Sequence, residues 1–242
     1  MTLSNIIERC NRKRRECDST IVGETLFLFE GLSEVKLIPM REFLSLVTSR
    51  RSIRRFHEGK ISRDKLNRIL ESGVHAPSAH NAQPWQFYIL EESETKRRLA
   101  KAMGVAFRQD LENDGETAET IELVVKESIE RFSTAPALVL ACLSMDTMDV
   151  YSDERRQQAE FIMGVQSVAA AVQNILLAAH AEGLGACWFC APLFCQETVQ
   201  ETLKIPSDVY PQALVALGKP AESPLMPPRH RLEEIVFFDS KK

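Results

Sequence analysis

The chain has 242 residues, is 44% hydrophobic and 26% charged, and carries a formal charge of -4. This is the profile of an ordinary globular protein, one large domain or two small ones, without the basic surplus that attracts nucleic acid. No apolar run looks close to the ~20 residues of a membrane helix, and Glu8 and Arg9 interrupt any signal-peptide core, so the expectation is a cytoplasmic protein with no membrane and no nucleic-acid partner.

In chain order, residues 2–17 predict a helix beginning at Ser4 and bearing Arg9, Arg12, Lys13, Arg14 and Arg15. Glu8, Glu16 and the lack of interleaved aromatics favour a solvated face over a binding one. Leu26 to Phe29, between Gly23 and Gly31, reads as a strand or an apolar arm. Residues 1–39 are taken as an N-terminal extension of unassigned role, and residues 40–242 as the main domain. There, residues 40–50 read as a helix leading into Arg50-Arg51-Ser52-Ile53-Arg54-Arg55-Phe56. Ser62 caps a helix with the stripe Leu66, Ile69, Leu70 and Val74, which Pro77 stops. Trp85–Leu90 predicts a strand, 93–103 a short helix, and 106–132 a charged helical stretch weakened at Asn113-Asp114-Gly115, the kind that forms an excursion over a site. Ala137–Leu143 is a strand apolar on both faces. Ser152 or Asp153 caps a long helix to about Glu182, apolar almost all round from Phe161 to Ala181 and so expected to be buried on every side, partly by a second subunit. Short elements follow: a strand at Cys187–Cys190, a helix at Glu197–Leu203, a strand at Tyr210–Leu217 and a strand-like tail at Ile235–Phe238. The alternation implies an α+β fold with a central sheet.

The six cysteines (Cys10, Cys17, Cys142, Cys187, Cys190 and Cys195) are expected to be free thiols. Cys187, Cys190 and Cys195 have no fourth ligand at a recognisable spacing, and the five histidines form no metal motif, so no metal ligands are assigned.

Three polar stretches interrupt the framework. The arginines at 50–55 offer planar donor forks suited to a phosphate, or are solvated charges. Pro77-Ser78-Ala79-His80-Asn81-Ala82-Gln83-Pro84 is stiffened by prolines, and its amides suit the edge of a flat heterocycle; the alternative is a rigid turn. Pro227-Pro228-Arg229-His230-Arg231 sets two arginines on one side of an extended chain, or is a solvated linker. There is no glycine-rich phosphate loop, nucleophile elbow or H-E-x-x-H pair. Chemistry therefore falls to a bound cofactor.

The motifs Arg50-Arg51-Ser52-x-Arg54, Ala76-Pro77-Ser78-x-x-Asn81-x-Gln83-Pro84-Trp85, Gly183-Leu-Gly185-Ala-Cys-Trp188, and Ala216-Leu-Gly218 followed by Pro227-Pro228-Arg229-x-Arg231 resemble, in order, those of the nitroreductase family of FMN-dependent oxidoreductases. The tail resembles the branch that includes the nitroreductase-like domain of coenzyme F420 ligases. The resemblance implies an α+β fold with a mainly antiparallel central sheet flanked by helices. It also implies a domain-swapped homodimer with the long helix at the interface and two equivalent FMN sites. Arg50, Arg51, Ser52 and Arg54 would contact the phosphate, ribityl chain or pyrimidine edge. Pro77, Ser78, Asn81 and Gln83 would lie along the ring, and Arg229 and Arg231 would close on the phosphate. The family places a backbone N–H near flavin N5 from about Cys190 to Leu193. Pro192 has none, so the donor is Ala191 or Leu193.

The implied activity is transfer of hydride from NADH or NADPH through FMN to a small acceptor, nitroaromatic or quinone-like, in ping-pong fashion. No side chain need act as general acid, so no catalytic residue is named. Two alternatives stay open: another chemistry on the same fold (dehalogenation, flavin cleavage or a deazaflavin-linked step), and a non-enzymatic flavin-binding module.

Overall fold

The computed structural model describes residues 38–239; the predicted helix over 2–17, almost all of the arm before Pro39, Cys10 and Cys17 lie outside the described residues. The chain divides into two compact units, Met1–Thr48 and Ser49–Lys242. The described part of the first is most of helix α1 (Met40–Ser49). Its apolar stripe, Met40, Phe43, Leu44 and Val47, follows helical spacing and is exposed.

The second unit is built on a sheet whose strands are β1 (Trp85–Leu90), β2 (Ala137–Ser144), β3 (Gly185–Phe189) and β4 (Val209–Gly218). Their spatial order is β1-β2-β4-β3 and every pairing is antiparallel. One irregularity falls between Ala141 and Cys142, which face Ala213 and Pro211, so Gln212 is the extra residue of a bulge. Pro211 has no N–H to give a regular ladder, which accounts for the break.

Six helices complete the unit: α2 (Arg63–Val74), α3 (Ser93–Asn113), α4 (Ala118–Thr134), α5 (Glu154–Ala181), α6 (Gln196–Leu203) and the short α7 (Leu232–Ile235). Alternation along β2 decides what each face meets. Val139, Ala141 and Leu143 pack with Leu66 and Ile69 of α2 and Val168, Val172 and Ile175 of α5. Leu138, Leu140 and Cys142 pack with Leu99 and Met103 of α3, Phe132 of α4 and Val199 of α6. Helices therefore cover both faces, and this is why β2 reads as an unbroken apolar run. Cys142, in the middle of it, is fully buried, and burial pushes its thiol up to about 12.

Caps agree with the sequence: the Ser62 side chain accepts from the Lys65 N–H, and the Asp153 side chain from the Arg156 N–H. Three expectations are corrected. The helix expected over 93–103 continues to Asn113, because Gly104 packs instead of breaking it: a Cβ there would lie 2.8 Å from Ile129 Cδ1. Within the single chain α5 is buried along one face, and Ile162 is exposed and Phe161, Val165 and Ala170 half-buried on the remainder, which is where a share of a second subunit was expected. By length and composition α5 could also cross a membrane, contrary to the expectation that no apolar run came near that length; Val168, Ala171, Val172 and Ile175 bury it in the core instead. Finally, Ile235–Phe238 forms no strand. Ile235 ends α7, and Phe237 and Phe238 lie exposed, since among the described residues no neighbouring strand completes a ladder for them.

Candidate functional site

Residues 50–56 form a strap at one corner of the sheet. Ser52 bridges Ala186 at the start of β3 in parallel sense, and the Ile53 N–H donates to the Ala186 carbonyl at 3.0 Å. Phe56 bridges Pro220 beyond β4, and the His57 N–H donates to the Lys219 carbonyl at 2.9 Å. One Glu222 carboxylate oxygen accepts from the backbone N–H of Arg54 at 2.6 Å and of Arg55 at 3.2 Å. This approach depends on two glycines. A Cβ on Gly185 would sit 2.8 Å from Ile53 Cβ, and one on Gly218 2.8 Å from Phe56 Cδ1. The sequence motifs around Gly185 and Gly218 thus have a steric reason.

Ile53 points into the core, so in the extended strap Ser52 and Arg54 face the other way. Their charge is felt locally. Burial pushes the Cys187 thiol up, opposed by Arg54, by a hydrogen bond with Ser52, and then by Arg131 and Arg50. His180 at the end of α5 meets the Ser49 hydroxyl at 2.8 Å; burial, then Arg50 and Arg51, hold it below its usual 6.5. A positive field from several guanidinium groups therefore gathers at this corner.

Arg131 was not singled out by sequence. It lies on α4 with its guanidinium 5.7 Å from the Phe189 ring centre and lines two adjoining cavities. One, of about 650 Å³, is polar and reaches Arg54, Arg55 and Glu222. The other, of about 850 Å³, lies among α3, α4 and the turn after β3, and is lined by Phe107, Phe132, Phe189, Cys190 and Phe194 among others. The only hint in sequence was the polar stripe Glu127, Glu130, Arg131 and Thr134 at helical spacing.

The turn after β3 is a 3-10 helix, Ala191–Phe194. The Leu193 N–H is committed to the Cys190 carbonyl at 3.0 Å. Ala191 stands in the first turn, where N–H groups have no intrahelical partner. Of the two expected donors, Ala191 is the better placed to give a hydrogen bond outward.

The Pro77–Pro84 loop is held differently. His80, Asn81 and Gln83 all have φ near +50°, and among the described residues the only other non-glycine of this kind is Lys204. This left-handed backbone costs roughly 1–2 kcal/mol per residue and must be imposed by surroundings. The Ser78 hydroxyl accepts from the Gln83 N–H at 3.0 Å, and the Ser167 hydroxyl of α5 from the Ala79 N–H at 3.2 Å. Ala82 and Pro84 are buried, whereas Pro77, Asn81 and Gln83 are exposed. The loop enters β1 where Trp85 faces Leu143, while the strap meets β3 beside Leu217, which faces Ala137 on β2. Strap and loop therefore occupy diagonally opposite corners: β1 and β3 are three strand spacings or about 14 Å apart, the strap lies beyond β3, and the two sit at opposite strand ends. Arg229 and Arg231 are not brought to the strap by any contact of their own: Arg229 donates to the Pro228 carbonyl at 3.1 Å, and Arg231 pairs with Glu234 at 3.2 Å on the exposed tail.

The family model for the nitroreductase family matches residues 47–219. The chain belongs to the nitroreductase family. Among relatives of this nitroreductase-family chain, an NADH dehydrogenase of Thermus thermophilus is 31% identical over 218 residues, 83% of this chain and 98% of the relative. An Archaeoglobus fulgidus protein carrying the provisional name NADH dehydrogenase/NAD(P)H nitroreductase is 29% identical, over 76% of this chain and 88% of its own. A solved structure from Desulfovibrio desulfuricans, provisionally a nitroreductase and complexed with FMN, superposes with a TM-score of 0.63 at 26% identity, covering 82% of this chain and 97% of the other.

Proposed function

We propose that this chain is an FMN-dependent oxidoreductase that accepts hydride from NADH or NADPH and delivers it to a small nitroaromatic or quinone-like acceptor in ping-pong turnover. The observation that carries this reading is the gathering of Arg50, Ser52 and Arg54 on one extended strap whose field reaches Cys187 and His180. Guanidinium forks suit the terminal phosphate and the electron-rich pyrimidine edge of FMN. FMN, when bound, supplies the hydride chemistry. The protein supplies the rest: Arg54 stabilises negative charge on the reduced ring, the Ala191 N–H offers a hydrogen bond, and the Pro77–Pro84 amides read the ring edge. The cavity beside Cys190 and Phe189 is then the place for the acceptor, with aromatic walls for a flat molecule and Arg131 for a polar substituent. The structural neighbour solved with FMN supports the choice of cofactor.

The same reading requires a homodimer. Strap and loop lie too far apart for one flavin to touch both in a single chain, whereas two copies related by a two-fold axis bring the strap of one to the loop of the other, giving two equivalent sites. The exposed tail, with Phe237 89% and Phe238 82% accessible, supports this, because such apolar surface calls for a cover that a second copy provides. Arg229 and Arg231, carried on that tail, then close a site from the other copy.

The test is direct. Purified protein reconstituted with FMN is expected to show a bound flavin spectrum and to bleach when NADH or NADPH is added without oxygen. Colourless protein in excess FMN would reject the cofactor; bound flavin that neither nicotinamide reduces would reject the enzyme.

A further inference from the structure

Beneath the strained loop lies a buried polar cluster that the flavin reading does not use. Glu160, one and a half turns into α5, is fully buried on the face that supports the loop. One of its carboxylate oxygens accepts from the Asp149 backbone N–H at 3.0 Å. The other, Oε2, is buried and has no hydrogen-bond partner among the described residues. A carboxylate taken wholly out of water costs several kcal/mol unless a proton or a cation compensates it. Among the described residues the basic group facing it is His80, whose Nε2 stands 3.8 Å from Glu160 Oε1. That is beyond hydrogen-bond range but matches two ligands of one ion, which lie about 3–4 Å apart when each is ~2.1 Å from the metal. Asp149 completes the group: an imidazole nitrogen and a carboxylate oxygen from each acid all lie within 4.8 Å of one another.

We infer that His80, Asp149 and Glu160 form a binding site for one divalent transition-metal ion. The donor set, one imidazole and two carboxylates, suits Mn²⁺, Fe²⁺ or Zn²⁺ in preference to a soft thiophilic ion. The three ligands come from three places: the loop before β1, the connection from β2 to α5, and α5 itself. A bound ion ties them together, and it does so through His80, one of the three left-handed residues of the loop. The ion is structural in this account: it holds the loop from below, while Asn81 and Gln83 stay exposed above.

The test uses the full-length chain stripped with a chelator and titrated with Mn²⁺, the free ion being followed by electron paramagnetic resonance. Mn²⁺ is chosen because thiolates bind it poorly, which removes the cysteines as competitors. Saturable uptake of one ion per chain is expected, with a rise in melting temperature. Glu160→Gln, nearly isosteric but uncharged, is expected to weaken binding by about tenfold or more. His80→Asn, a residue that tolerates left-handed backbone, is expected to do the same with the fold intact by circular dichroism. Glu234→Gln, on the exposed tail, is expected to leave uptake unchanged. No saturable Mn²⁺ uptake by the wild type would overturn the inference, as would undiminished uptake by Glu160→Gln and His80→Asn.

Discussion

The arginine strap lies almost flat against β3, pinned by backbone hydrogen bonds and by Glu222, and none of its residues has a positive φ. The Pro77–Pro84 loop has three left-handed residues in four and depends on side chains, Ser78 and Ser167, to keep them there. The difference follows from what each is proposed to recognise. A phosphate is met by long flexible arginines from a relaxed backbone, because charge acts over distance. A ring edge is met by short amides, so the backbone itself must be bent into place and the strain imposed by neighbours. One region carries its chemistry in side-chain charge, the other in conformation.

The sharpest way to break this contrast is to remove the charge. Arg50→Ala with Arg54→Ala should cost about 3–6 kcal/mol of FMN binding, from two charge-assisted contacts of ~1.5–3 each, with little change in stability. Fluorescence titration of FMN measures it, and near-wild-type affinity would remove the strap from the phosphate. Next in size is Gly185→Val, which drives a side chain into Ile53 and should destabilise the fold by about 1–3 kcal/mol while lifting the strap. Urea unfolding reads the first effect and FMN titration the second.

Mixing the two regions tests whether they serve one site. Arg54→Ala and Asn81→Ala, each impaired alone, should recover about a quarter of wild-type sites when unfolded together and refolded, because half of the dimers pair one intact strap with one intact loop. No recovery would mean that both groups act within a single chain. A gentler change separates strain from recognition: Gln83→Gly should raise stability by about 1 kcal/mol, since glycine accepts φ of +49° freely, yet weaken flavin binding. The smallest effect is a titration. Burial and the adjacent arginines hold His180 below 6.5, so the folded state resists its protonation. Stability should therefore fall as pH drops below about 6.5, where the unfolded chain takes up that proton. An anion on Arg50 and Arg51 should move the His180 titration upward in an NMR pH series; no movement in saturating FMN would argue that the phosphate sits elsewhere.

Much of the fold was legible in the chain itself. Trp85–Leu90 and Ala137–Ser144 show as strands because their apolar runs are short and bounded by turn residues, and the Ser62 and Asp153 caps fall where short polar side chains precede helical stripes. The arginines are visible because charge is written directly in residue type. The loop's backbone was not legible: His80, Asn81 and Gln83 are left-handed without a glycine to mark it. Glu160 was hidden for a related reason, since a glutamate among Arg155, Arg156 and Gln158 looks like part of a solvated face until the packing of the loop closes over it. Arg131 needed tertiary structure, because only the approach of α4 to β3 sets it over Phe189.

The depth of Cys142 gives the molecule its own clock. Its sulfur lies beneath α3, α4 and α6 and becomes reachable by an alkylating reagent only when that helical layer lifts from the sheet, whereas Cys190 is exposed. Peptide-resolved labelling of Cys142 against Cys190 thus measures how often that layer opens, in flavin-free and flavin-loaded protein alike, with no residue engineered into the chain.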